Sequence, residues 1–97
     1  MPYIPKEERY ILDDTIDDAI TFLKDNFPLG TKRKGATNYV ITRVVLGSMR
    51  PDDKWSYNSI SNAIAVLRDA ATEMERRLMA KREDLAISQN GDLPEYA

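Results

Sequence analysis

The chain has 97 residues, 42% of them hydrophobic and 31% charged, with a formal net charge of -2. This is the profile of one globular domain, and it gives no bulk attraction to nucleic acid or anionic membranes. Cysteine and histidine are both absent. That excludes a disulfide framework, a thiolate nucleophile and a Cys/His zinc site, and it removes the commonest general base.

The opening Met1–Glu8 has no apolar run of the kind a signal peptide needs, and no stretch has the length of a membrane span. A cytoplasmic protein is expected. Residues 1–4 read as a loose lead-in. Pro5 suits a first helical turn, with Glu7 and Glu8 at the positive end of its dipole, and a short helix through Tyr10–Leu12 is expected. Asp13 and Asp14 are good N-caps for a second helix. Its apolar face is Ile16, Ile20, Leu23 and Phe27, and Pro28 with Gly30 ends it.

Gly30–Gly35 reads as a flexible basic loop carrying Lys32, Arg33 and Lys34, with Thr37 or Asn38 capping the next segment. Tyr39–Leu46 is rich in β-branched residues, which favour a strand. A lone strand has nothing to pair with here, and Val40/Val44 and Ile41/Val45 fit a buried helix, so helix is expected. Gly47 and Pro51 close it. Ser56 can cap a long helix reaching about Ile87. Ile60, Ile64, Leu67, Ala71, Met74 and Leu78 form a heptad stripe along it, continued by Leu85. Asn90-Gly91 is a stop, and 92–97 reads as a frayed tail.

The expected fold is therefore all-α. It comprises a short N-terminal helix and a helical hairpin with one long, heptad-patterned arm, in a single domain spanning 1–97. About 30 residues of helix extend roughly 45 Å. A compact domain of this size has a radius of gyration of about 12–13 Å. The stripe outruns its neighbours, which points to self-association.

No residue set suggests catalysis, and a binding protein is expected. The loop at 32–34 lacks the lysine position of a phosphate-cradling loop and reads first as solvated. Asp13, Asp14, Asp17 and Asp18 could share a divalent cation but read as caps and a solvated face. Phe22, Phe27 and Tyr39 read as core, and Trp55 and Tyr57 as seating the long helix. Tyr10, beside Glu8 and Arg9 at a junction between helices, suits stacking on a base next to a cation. Arg68 and Thr72, one turn apart, flank the stripe. An arginine there can pair with an acid or converge with its symmetry mates on an anion.

Two segments, Gly35–Arg43 (GATNYVITR) and Glu83–Asp92 (EDLAISQNGD), look like a group of small phage proteins. The layout resembles the phage anti-CBASS sponges across most of the chain. That resemblance implies a helical homo-oligomer, typically a hexamer, acting in the infected bacterial host cell. Such proteins sequester cyclic oligonucleotide messengers without cleaving them and need no cofactor. It also implies nucleotide contacts at Tyr10, which would stack, at Lys24, which would bind phosphate, and at Arg68 and Thr72 in a second pocket for cyclic trinucleotides. The basic segment 32–34 has no counterpart in that family. Two competing readings are a protein-interaction module that docks a partner helix without a small ligand, and a nucleic-acid binder using 32–34. The acidic net charge weighs against the latter.

Overall fold

The computed structural model describes residues 2–96, which are mostly helical with no strand among them. Helix α1 spans Lys6–Asn26, α2 spans Thr31–Met49, and α3 spans Tyr57–Met74. A π-helical turn, Glu75–Met79, joins α3 without a break to α4, Ala80–Asn90. A 3-10 turn at Pro94–Tyr96 comes last.

The expected break near residue 12 does not occur, and the two N-terminal helices are one. Asp13 and Asp14 lie inside α1 and cap nothing. The reason is energetic. Each Asp lowers helix propensity by well under about 1 kcal/mol, whereas ending a helix and starting another repeats the costly nucleation step. No Gly or Pro stands between Lys6 and Asn26 to force that restart. The lead-in is also tied down. The Tyr3 hydroxyl donates to Glu73 Oε1 at 3.0 Å, and Arg9 Nε donates to the Ile4 carbonyl at 2.7 Å.

The basic segment is not a loop either. It is the first turn of α2, so neither Thr37 nor Asn38 is a cap. The chain reverses through Phe27–Gly30, where Gly30 adopts φ 121°, a conformation that side chains disfavour. Arg33 closes the corner. Its Nε donates to the Phe27 carbonyl at 2.9 Å and its Nη2 to the Lys24 carbonyl at 3.4 Å, meeting two orphan acceptors at the end of α1. Helix is observed at 39–46 as expected, and it runs past Gly47 to Met49.

Ser56 caps α3 as its sequence position implies. The Ser59 N–H donates to Ser56 Oγ at 3.1 Å, and the Ser56 N–H donates back to Ser59 Oγ at 2.8 Å. The long helix extends to Asn90, and Gly91 ends it at φ 88°. The π turn carries the Ala80 N–H to the Glu75 carbonyl, one residue beyond the α-helical partner. One residue is thereby inserted into the repeat, and everything after it is set back by roughly a quarter turn. The stripe therefore passes from Met74 to Met79 and Ala86. Leu78 and Leu85, which an unbroken heptad would keep on it, turn aside.

Packing is sparse. Helix α2 touches both α1 and α3, while α1 and α3 have no residues within 8 Å of each other by Cα distance. Only Val45 on α2 and Ala63 on α3 are buried among the described residues. Ala63 and half-buried Ala70 sit about 70° around the helix from the stripe. Small residues thus face the interior side of α3, and the large residues of the stripe are left open. The radius of gyration is 17.8 Å and the longest dimension 53 Å. A compact chain of this length would have a radius of about 12.5 Å.

Two details of this fold are open to direct measurement. Ser56→Ala should destabilise the protein by about 1 kcal/mol in urea unfolding, and an unchanged midpoint would refute the cap. Arg76 lies against Glu73, with Nη2 2.6 Å from Oε1, and holds that carboxyl below its usual range, with the Tyr3 hydroxyl bond adding to the effect. A depressed folded value contributes stability above the unfolded carboxylate pKa and loses it as pH falls through the folded value. The Tyr3 ring resonances should therefore shift below the ordinary glutamate range, together with Glu73. Tyr3 ring resonances that follow Glu73 only at the ordinary glutamate value would overturn the link.

Candidate functional site

Long exposed helices can present ligand-binding groups, but they set strict distances between them. Tyr10 lies on the first half of α1 and is 71% exposed. Lys24 lies in the last turn of the same helix, also exposed. Fourteen residues separate them, which places them on nearly the same side of α1 but about 21 Å apart along it. That span exceeds what two side chains can bridge around one base and its phosphate. Within one copy they form two separate sites.

Arg68 and Thr72 sit one turn apart on α3, and both are exposed. The structure brings these two together and keeps them apart from Tyr10 and Lys24 as a helix pair, since α1 and α3 do not touch. Arg68 lines an open groove of about 350 Å³ on the face of α3, with Tyr57, Ile60, Ser61 and Ile64. Thr72 is not among its lining residues. The guanidinium has no hydrogen-bond or ion-pair partner among the described residues, so its five donors face the groove's surroundings uncommitted.

Tyr57 is 86% exposed and seats nothing. It stands at the head of the Arg68 groove, where it supplies an aromatic face. The sequence signal for this was available: Tyr57 and Arg68 are eleven residues apart, three helical turns, so they share a face. Trp55, half-buried, does lie where the long helix begins.

A second groove escaped the sequence reading because its rings were assigned to the core. Phe22 and Tyr39 are more than 60% exposed, and Phe27 is half-buried. Together with Leu23, Lys32 and Val40 they line an open, almost wholly apolar groove of about 530 Å³ in the α1–α2 corner. Lys32 comes from the basic segment, which gives that segment a place in the fold: Arg33 locks the corner and Lys32 borders its groove. Arg43 lies over the outer face of Tyr39, its guanidinium carbon 5.9 Å from the ring centroid.

Among the described residues no group of three or more acids could hold a metal ion. Asp13, Asp14, Asp17 and Asp18 are all exposed on α1. Among the same residues no helix is long and apolar enough to cross a membrane.

No curated protein and no solved structure matches the chain. One family model does, over residues 1–93, nearly the whole length. The chain accordingly belongs to the family described as Domain of unknown function (DUF6899).

Proposed function

We propose that the protein binds cyclic oligonucleotide second messengers and sequesters them without cleavage, blocking anti-phage signalling in the cytoplasm of an infected bacterium. The observation that carries this reading is the placement of uncommitted aromatic and cationic side chains on open helix faces. Tyr10 offers a ring, and Arg68 with Tyr57 offers a cation and a ring beside a groove. A ring stacks on a base, and a fork of guanidinium donors matches phosphate oxygens.

The distances add a condition. A pocket using both Tyr10 and Lys24 takes them from different copies, as in a homo-oligomer such as the hexamer that the resemblance implies. Arg68 and Thr72 of adjoining copies would form a second pocket. The chemistry is binding alone: these side chains hold a base and its phosphate, and none attacks the phosphodiester. Sequestration then works by stoichiometry, with no cofactor and with neither DNA nor RNA as partner.

A second reading is favoured by a different observation. The stripe on α3 is open along its length, which suits a helical interaction module that docks a protein and takes no small ligand.

A thermal-melt panel of cyclic dinucleotides, cyclic trinucleotides and cyclic ADP-ribose isomers separates the two. At 100 times Kd, a ligand adds about 2.7 kcal/mol per site, which in a domain of this size raises Tm by roughly 10 °C or more. The ligand should be recovered intact after heat release. Tyr10→Ala should abolish the shift with one ligand class and Arg68→Ala with another. A flat panel at saturating ligand sinks the proposal and leaves the interaction module. Recovery of a linearised nucleotide sinks the claim that it is not cleaved.

A further inference from the structure

Each chain exposes 8875 Å² for a mass of 11.1 kDa. A folded monomer of that mass exposes about 5,700 Å². The excess is about 3,200 Å², several times the roughly 800 Å² that one partner contributes to a standard stable interface. The excess has an address. On α1, Leu12, Ile16 and Ile20 form one apolar stripe. On α3, Ile64, Leu67 and Met74 form another. All six are between 40% and 62% exposed. Helix α2 touches both helices, but α1 and α3 do not meet, and among the described residues the lead-in reaches α3 at Glu73, which lies off the stripe.

We propose that the occupant is a second copy of this chain, and that the copies interlock, with the α1 stripe of one seated on the α3 stripe of the other. A single copy with two buried residues cannot offset the conformational entropy of ordering its helices, so folding and association are coupled. Charge selects the pairing. Helix α1 carries seven acids against three bases, so two copies of α1 packed stripe to stripe along their length repel. From Tyr57 to Met79 acids and bases balance at three each, and Arg68 flanks the stripe, on the side where Asp13 and Asp17 flank that of α1. The mixed pairing avoids the repulsion. This arrangement rests on the surface and charge of the chain, and it stands whether or not a nucleotide binds.

The absence of native cysteine makes the test direct. Ile16→Cys and Leu67→Cys are made separately in the full chain, one carrying a mass tag, then mixed, refolded and mildly oxidised. The mixed Ile16→Cys/Leu67→Cys disulfide should exceed both like–like products and a background set by exposed Asp52→Cys. A predominance of like–like disulfides, or yields at background, overturns the interlocked pairing. Wild-type protein provides a second reading that does not depend on the variants. It should sediment as an oligomer at tens of micromolar, and its Tm should rise with concentration. A monomer at 11.1 kDa with a concentration-independent Tm overturns the proposal.

Discussion

Everything in this structure depends on α2 being the only helix that touches both of the others. A three-helix chain closes into a bundle when its first and third helices also meet, since that third contact completes a core. Here α1 and α3 have no residues within 8 Å of each other by Cα distance, and the lead-in before α1 reaches α3 through the Tyr3 hydroxyl on Glu73. The interior is thin: Val45 on α2 and Ala63 on α3 are the buried residues among those described, with Ala70 half-buried. Such an interior removes little apolar area from water. Large side chains are spent on outward faces, and the surface of the single chain is apolar where a soluble monomer's would be polar.

The same constraint shapes the candidate sites. Groups on one straight helix are ruled by the rise of 1.5 Å per residue, and Tyr10 and Lys24 cannot be drawn together by any loop. Each copy therefore presents parts of sites: a ring on α1, a cation at its far end, a ring and a guanidinium on α3. Under the proposed function a pocket that uses both Tyr10 and Lys24 takes a second chain, which would tie ligand capture to assembly. The aromatic corner of Phe22, Phe27 and Tyr39 differs in kind, being formed within one copy and rigidified by Arg33.

Much of the fold was legible because it rests on strong local signals. The Ser56 cap, the Gly91 stop and the apolar periodicity of α3 each act within a turn or two of helix, and each is found where the sequence puts it. The misread features are those where a local preference was outweighed. Asp13 and Asp14 prefer caps, but no breaker precedes them. Lys32–Lys34 reads as a loop by composition, yet Gly30 and the Arg33 side chain start the helix earlier. The burial of Phe22, Tyr39 and Tyr57 was misjudged for another reason. Aromatic residues at helical spacing are assigned to a core by default, and the core here is too thin to take them. Of the site residues, spacing alone placed Arg68 beside Thr72. The separation of Tyr10 from Lys24 emerged only once residues 6–26 proved to be a single helix.

The π turn at Glu75–Met79 has a bearing on how any helix can lie along α3. A uniform heptad stripe accepts a neighbour in several positions displaced by seven residues, each nearly equal in energy. Inserting one residue spoils that translational symmetry: upstream, Leu67 and Met74 point one way, and downstream Leu78 and Leu85 have turned aside. A neighbour that slides by one heptad meets a changed azimuth and loses its contacts. The turn thus works as a vernier mark on an otherwise repetitive rod, selecting one longitudinal alignment and rejecting its near-copies.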